Sequence, residues 1–382
     1  MELRKFVIPE FVFGVGARFL AGRYALNFGA RKVLVVTDPG VIAAGWVNPL
    51  LERLEQDGLG YAVFQQVHSN PRDFEVMAGA EMYRTEHCNA IVTIGGGSPM
   101  DCAKGIAIVS ANQRNILEFE GVDEVPNPGP PLICIPTTAG SSADVSQFAI
   151  INDTPRKVKI AIISKTMVPD AALVDPEPTL SMDPYLTACT GVDALTHAVE
   201  AYVSNAHSPV TNLHAAEAIR LIWHYLPLVI ANPHDLEART QMMLASMYAG
   251  LAFSNASLGA VHAMAHSLGG YLDLPHGECN ALLLEHVVSY NFTAAVEDYT
   301  QIGRMLDLPL DQVDLDARKN ILVQALRNFR LRVGITRSLG PVGVNSGNIP
   351  MLAGKAFRDP CLVTNPRKLN EEDIVQIYAS AL

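Results

Sequence analysis

The sequence predicts a two-part fold: a doubly wound, parallel α/β domain in residues 1–180 and an all-helical domain in residues 181–382. Short apolar strands alternate with helix-like segments in the first half, which is typical of parallel strand pairing. After the proline-rich stretch VDPEPTLSMDP, apolar residues recur instead at three- and four-residue spacing. Among 382 residues, 49% are hydrophobic and 18% charged, which is enough apolar material for a sizeable core.

The elements of the first domain follow from the spacing of its apolar residues. Buried strands are expected at 31–38, 61–67, 90–94 and 131–138, and helices at 41–56, 74–85 and from GGGSPMD to about residue 110. Two β-rich stretches, 147–151 and 158–163, flank the turn sequence NDTPRK and indicate a hairpin. From residue 185 onward the pattern is helical.

Charge and cysteine content narrow the class of protein. The 28 basic and 39 acidic residues give a net charge of −11, which disfavours nucleic acid or an anionic membrane as the main partner. The N-terminal sequence MELRKFVIPEFVF has no apolar segment of the kind found in secretion signals, and no run approaches the roughly 20 apolar residues of a membrane span. The six cysteines form no CxxC pair and indicate buried free thiols. We therefore expect a cytoplasmic protein.

Two loops that follow predicted strands are candidates for binding a cofactor. GGGSPMD, residues 95–101, opens a helix, so its glycines and the free N–H groups of the helix N-terminus suit a phosphate. Ser98 is the expected N-cap of that helix. The alternative is an ordinary tight turn between strand and helix. TTAGSS, residues 137–142, ends the next strand and offers hydroxyl groups at the same sheet edge.

Asp38 ends the first predicted strand and has two interpretations. Its carboxylate could accept hydrogen bonds from a ribose diol and would repel an added 2′-phosphate, which favours NAD over NADP. Alternatively, Asp38 only forms a turn before Pro39 and Gly40.

The helical half carries the stronger signal, a possible metal site. Asp193 and His197 are four residues apart in GVDALTHAVEAYVS, and His262 and His266 are four apart in LGAVHAMAHSLGG. Each pair therefore shares a helix face, while His276 lies in the loop sequence DLPHG. One carboxylate with three imidazoles suits Fe²⁺ or Zn²⁺. Taken singly, a helical histidine is more often an ordinary core or surface residue.

Together these segments resemble the iron-containing (group III) alcohol dehydrogenases. GVDALTHAVEAYVS, GAVHAMAHSLGG and LPHGECNALLL are similar to the metal-site segments of that family, and GGGSPMDCAKG and IPTTAG to its cofactor segments. The resemblance runs from about Phe11 to the C-terminus. It implies a Rossmann-like α/β domain and an all-helical domain, the fold shared with dehydroquinate synthases.

The resemblance also implies roles for individual residues. The implied metal ligands are Asp193, His197, His262 and His276, with His266 as a catalytic residue that relays a proton. The implied cofactor-binding residues are Asp38, Asn70, Gly96, Gly97, Ser98, Thr137, Thr138, Ser141 and Lys159. The implied cofactors are NAD and Fe²⁺, with Zn²⁺ the alternative, and a homo-oligomer, a dimer or larger, is expected.

The activity implied by the resemblance is hydride transfer between a primary alcohol or diol and nicotinamide. One departure leaves an alternative open, because many relatives read TTAGTGSEVT where this chain reads TTAGSSADVS. A regulatory or binding protein with little turnover is therefore the second hypothesis. A non-redox lyase of the dehydroquinate synthase kind is a third, which the metal-site residues disfavour.

Overall fold

The computed structural model describes residues 5–382, which form two compact units. One comprises Val7–Met182, and the other comprises Asp183–Leu382 together with Lys5 and Phe6. The domain boundary expected from the sequence, at residue 180, lies two residues before this division. No helix in the described part of the chain is long and apolar enough to cross a membrane.

The described part of the first unit contains nine strands in two sheets. In chain order they are β1 (Glu10–Phe13), β2 (Lys32–Val36), β3 (Gly60–Phe64), β4 (Ala90–Gly95), β5 (Gly121–Val122), β6 (Leu132–Pro136), β7 (Phe148–Asp153), β8 (Val158–Ile163) and β9 (Ala171–Val174). The larger sheet has the order β1-β9-β6-β4-β2-β3, and all its pairs are parallel, as predicted. The smaller sheet contains the predicted antiparallel hairpin, β7 with β8, and β5 pairs with β8.

Helices cover both faces of the larger sheet. They are α1 (Ala21–Asn27), α2 (Pro39–Ala43), α3 (Val47–Gln56), α4 (Asp73–Thr85) and α5 (Gly97–Asn112). Leu34 and Val36 of β2 belong to one apolar cluster with residues of α4 and α5, whereas Val33 and Val35 belong to a second cluster with residues of α1 and α3. Burial on both faces explains why β2 is an unbroken apolar run.

The structure corrects one expected element of this unit and contains strands that were not expected. The single helix expected at 41–56 is two helices, α2 and α3, because Gly45 between them has a left-handed φ of 84°. The sequence reasoning also missed β9, a strand of four residues whose first two are alanine and which lies between β1 and β6. Such a short, alanine-containing segment lacks the β-branched signal of the other strands.

The described part of the second unit contains helices and no strand. The α-helices are α6 (Pro184–Val203), α7 (Pro209–Ala231), α8 (Leu236–Ala256), α9 (Ala260–Leu272), α10 (His276–Asn291), α11 (Val296–Met305), α12 (Leu315–Arg332), α13 (Ile349–Ala356) and α14 (Glu371–Ser380). Asp183 begins α6 as its N-cap, accepting hydrogen bonds from the N–H groups of Tyr185 and Leu186. The all-helical prediction for this half is confirmed for the residues described.

Two glycines allow unusually close packing onto α6. A Cβ on Gly191 would lie 2.5 Å from the Leu226 side chain of α7. A Cβ on Gly277 would lie 2.3 Å from the carbonyl oxygen of Cys189 and 3.2 Å from the Asp193 Cβ. The start of α10 therefore lies directly against the middle of α6, where the predicted metal ligands are located.

Candidate metal centre and cofactor loops

Three helices of the second unit bring four predicted metal ligands together. Asp193 and His197 lie on one face of α6, His262 lies on α9, and His276 is the first residue of α10. Each offers one donor atom, and these atoms all lie within 4.8 Å of one another. The Asp193 Oδ1 is 4.0 Å from the His197 Nε2, 3.9 Å from the His262 Nε2 and 3.8 Å from the His276 Nε2.

The cluster is buried except on one side. Asp193 and His197 are 4% exposed and His262 is 1% exposed, whereas the His276 side chain is 27% exposed. The His197 ring stacks on Phe253 with 4.3 Å between ring centroids. Burying a carboxylate among imidazoles is costly unless the groups share a cation or a proton. The nitrogen and oxygen donors are those that Fe²⁺ and Zn²⁺ bind.

Asn280 of α10 is a further polar residue at this cluster, which the sequence reasoning missed. Its Nδ2 donates a hydrogen bond to the Asp193 Oδ1 at 2.6 Å and lies 3.1 Å from the His262 Nε2 and 3.2 Å from the His276 Nε2. Its Oδ1 is buried without a hydrogen-bond partner. A buried polar atom without a partner, on a side chain that contacts three of the four clustered residues, fits a site built for a cation. The available signal was its position one helical turn after His276.

Glu200 was also missed, although it lies within the segment GVDALTHAVEAYVS. It follows Asp193 by seven residues, which places it on the same face of α6. Its Oε2 is 2.6 Å from the Nδ1 of His262, and burial raises the pKa of its carboxyl to about 7. Glu200 therefore contacts the side of the His262 ring that faces away from the cluster.

His266, the predicted catalytic residue, lies next to the four-residue cluster and is not part of it. Its Nδ1 is 2.8 Å from the Oδ2 of Asp359, and its ring stacks on His276 with 5.3 Å between centroids. Asp359 precedes a 3₁₀-helix, Pro360–Thr364, and its Oδ1 accepts a hydrogen bond from the Cys361 N–H. Asp359 therefore contacts the Nδ1 side of the His266 ring, and a role of His266 in proton transfer stays a prediction.

The first predicted cofactor loop lies where it was expected, but a different residue is the N-cap of the helix that follows it. It runs from the end of β4 into α5, whose N-cap is Gly96. The prediction that Ser98 is the N-cap is wrong, since Ser98 lies inside the first turn. Its Oγ instead accepts a hydrogen bond from the Asn70 N–H at 3.2 Å. The Lys159 Nζ donates to the Asn70 Oδ1 at 2.8 Å, so Asn70 contacts two other predicted cofactor residues.

The second loop lies directly against the first. A Cβ on Gly97 would lie 2.9 Å from the Ser141 side chain, and one on Gly96 would lie 3.2 Å from that of Thr138. The Thr137 N–H donates to the Gly95 carbonyl at 2.9 Å. The glycines are thus required by loop-to-loop contact, and they leave backbone N–H groups at the helix start for a phosphate.

Asp38 has the capping role that was its alternative interpretation. It is the N-cap of α2, and its Oδ1 accepts a hydrogen bond from the Val41 N–H at 2.9 Å. Capping uses one carboxylate oxygen. A contact of the second oxygen with a ribose stays a prediction.

The altered segment TTAGSSADVS contains an acidic residue that packs near a buried lysine. Asp144 is 4% exposed, and burial raises the pKa of its carboxyl to about 6. Lys104 of α5 is 1% exposed and donates hydrogen bonds to the carbonyl oxygens of Ser146 and Phe148. Lys104 therefore ties the end of this segment to α5.

The two units have the features of a metal-dependent dehydrogenase: a nucleotide-binding type of sheet with glycine-rich loops, and a helical unit with one aspartate and three histidines clustered. Comparison with known families agrees. A profile described as "Iron-containing alcohol dehydrogenase" matches residues 9–176, and one described as "Fe-containing alcohol dehydrogenase family, C-terminal" matches residues 187–382. The chain belongs to the iron-containing alcohol dehydrogenase family, as the sequence motifs indicated.

Individual relatives cover nearly all of the chain. The 1,3-propanediol dehydrogenase of Citrobacter freundii is 40% identical over 97% of this chain and 96% of its own length. The NAD-dependent methanol dehydrogenase of Bacillus methanolicus is 38% identical over 99% of both. A crystal structure of a 1,3-propanediol oxidoreductase matches 100% of both chains with a TM-score of 0.96 and 38% identity.

Proposed function

We propose that this protein is a metal-dependent, NAD(H)-linked alcohol dehydrogenase and aldehyde reductase that acts on a primary alcohol or diol. The observation that carries the proposal is the cluster of Asp193, His197, His262 and His276 in a chain that also has the family's cofactor loops. The relatives named as propanediol and methanol dehydrogenases support the substrate class. In this proposal residues 1–180 bind NAD and residues 181–382 hold the metal.

The four clustered residues would hold Fe²⁺ or Zn²⁺, and iron is favoured by the family. When bound, the cation supplies Lewis acidity towards the alcohol oxygen, and the nicotinamide supplies the hydride acceptor. Asp193 contributes the negative charge that partly neutralises the ion. The more exposed His276 lies on the side of the cluster that small molecules can reach.

The cofactor loops would bind NAD through complementary groups. Gly96, Gly97 and Ser98 lie at the N-terminus of α5, where the helix dipole and free N–H groups favour a pyrophosphate. Thr137, Thr138 and Ser141 line the adjoining loop with hydroxyl groups. The pair formed by Asn70 and Lys159 adds a positive charge, and the second oxygen of Asp38 would contact the ribose.

His266 would carry the proton that the alcohol loses. The contact between its Nδ1 and Asp359 fixes the ring orientation and leaves the Nε2 to exchange a proton with substrate or water. Buried thiols support a reducing compartment, so we place the protein in the cytoplasm. We also propose a homo-oligomer, following the family.

The proposal is tested by replacing one metal ligand and, as a matched control, one exposed histidine. Protein loaded with Fe²⁺ or Zn²⁺ under anaerobic conditions should oxidise short primary alcohols or 1,3-propanediol with NAD. His262→Ala should lose the tightly bound metal and the activity together and keep only the weak residual affinity of three ligands, whereas His224→Ala, on an exposed position of α7, should keep both metal and activity. Retention of metal and activity in His262→Ala would contradict the ligand assignment. Binding of metal and NAD without turnover on a broad alcohol and aldehyde panel would favour the regulatory alternative.

A further inference from the structure

We infer that Glu200 is a positioning residue of the metal centre, which holds His262 in the tautomer and orientation whose Nε2 faces the metal. The inference rests on the proposed function, because it assigns Glu200 a role towards the cation that the clustered residues would hold. Glu200 does not reach the donor atoms itself and acts through His262.

The contacts of Glu200 decide the proton position on His262. The Glu200 Oε2 lies 2.6 Å from the His262 Nδ1. Both carboxylate oxygens of Glu200 accept hydrogen bonds from backbone N–H groups, an arrangement that favours the ionised form. An ionised carboxylate can only accept hydrogen bonds, so the His262 Nδ1 is the donor. The lone pair of the neutral ring is then on the Nε2, the nitrogen 3.9 Å from the Asp193 Oδ1. Only that tautomer can bind a cation at the cluster.

Glu200 also fixes the position of the ring along the chain. Its Oε1 accepts a hydrogen bond from the Val261 N–H at 2.7 Å, and its Oε2 accepts another from the Gly259 N–H at 3.0 Å. Both donors are at the N-terminus of α9, immediately before His262. A residue of α6 thus holds the start of α9, which ties the helix of Asp193 and His197 to the helix of His262.

The close approach of Glu200 depends on a glycine. A Cβ on Gly259 would lie 2.9 Å from the Glu200 Oε1. Since Glu200 is 5% exposed and His262 is 1% exposed, water cannot replace either partner easily. Buried, charge-assisted hydrogen bonds are stronger than neutral ones. The carboxylate therefore holds the imidazole before any cation binds.

The experiment measures the affinity for Zn²⁺ or Co²⁺ by competition with a chelator. The side chain of Glu200→Gln has one accepting oxygen, whereas the carboxylate of Glu200 has two. The hydrogen bond to His262 is therefore weakened, or the tautomer of the His262 ring is reversed. Losing such a partner typically weakens metal binding 10–100-fold. We expect that loss for Glu200→Gln and none for Glu217→Gln, on an exposed position of α7. The melting temperature of the metal-free proteins checks that the variants fold.

A second experiment, in a protein that lacks His262, distinguishes a positioning role of Glu200 from a purely structural one. The same Glu200→Gln change in a His262→Ala protein should leave the residual metal affinity unchanged, because Glu200 would have no ring to position. Equal loss of affinity in both backgrounds, or unchanged affinity in the otherwise native protein, would overturn the inference while leaving the proposed function intact. A native protein that binds no divalent cation would overturn both.

Discussion

The polar residues that fold inward differ in how easily they are inferred from the sequence. Asp193 and His197 stand out in the sequence because they occur at helical spacing and because His262 and His266 form a second such pair. Glu200 and Asn280 also lie at helical spacing from Asp193 and His276, but a single glutamate or asparagine at such a spacing is common on any helix. Their roles depend on which helices meet, and that is decided by close contacts such as the one at Gly277.

The Asn280 amide should matter to the metal centre through Asp193. Replacing Asn280 by Ala removes the N–H donor to the Asp193 Oδ1 and leaves that carboxylate less well oriented. We expect several-fold weaker binding of Zn²⁺ in a chelator competition. The exposed Asn328→Ala, on α12, is the control. Unchanged affinity in Asn280→Ala would show that Asp193 is oriented without the amide.

Asp144 should make stability depend on pH. Its pKa in the folded protein is about 6, above the usual 3.8, so folding favours the protonated carboxyl. Its contribution to stability is full below the unfolded value and is lost as the pH rises through about 6. Asp144→Asn should therefore stabilise the protein at pH 8, by at most about 3 kcal/mol, and change little at pH 4. The stabilisation at pH 8 is reduced because nearby Lys104 loses its favourable interaction with the ionised Asp144 carboxylate.

Thermal unfolding of Asp144→Asn at both pH values checks this expectation. An equal shift of the melting temperature at pH 4 and pH 8 would show that Asp144 does not titrate as its burial implies.

At the scale of elements, the contact between α10 and α6 should control the metal centre. Gly277→Ala would place a methyl group 2.3 Å from the Cys189 carbonyl oxygen, so α10 must move away from α6. Overpacking of this kind typically costs about 1–3 kcal/mol. We expect a lower melting temperature and a reduced metal content, because His276 adjoins the displaced residue. Gly340→Ala, at an exposed position with ordinary contacts, is the control. A Gly277→Ala protein with native metal content would contradict this coupling.

The predicted elements were most accurate where hydrophobic periodicity is strong. The buried strands β2, β4 and β6 and the hairpin of β7 and β8 follow from unbroken apolar or β-branched runs. The errors fall where one residue's backbone conformation decides the outcome. Gly45 divides a helical pattern, and Gly96 rather than Ser98 caps α5. Neither outcome is visible in the periodicity of the side chains.

At the scale of the whole molecule, the thiols should be inert in the native protein. All six cysteines are free and buried, as predicted, and burial raises the pKa of Cys88 to about 11 and that of Cys189 to about 12. Thiolates are the reactive form, so reaction with an aromatic disulfide reagent at pH 8 should be slow until the protein is unfolded. Six thiols should then react. Rapid labelling of a thiol in the native protein would contradict the conclusion that all six cysteines are buried.

The family and the overall fold were accessible from the sequence, because the motifs around Asp193, His262 and Gly96 are specific and lie far apart in the chain. The supporting contacts were not. The hydrogen bonds of Glu200, Asn280 and Asp359 join segments up to 93 residues apart, and such pairs leave no periodic signal.

One bound divalent cation per chain should enable NAD-linked alcohol oxidation. Metal-depleted protein should be titrated anaerobically with Fe²⁺, and in parallel with Zn²⁺, while NADH formation from NAD and a short primary alcohol or diol is followed. We expect no activity before the metal is added and a rise in activity that ends at one equivalent of the effective metal per chain. Full activity in the metal-depleted protein, or metal binding at Asp193 and the three histidines without any NADH formation, would contradict it.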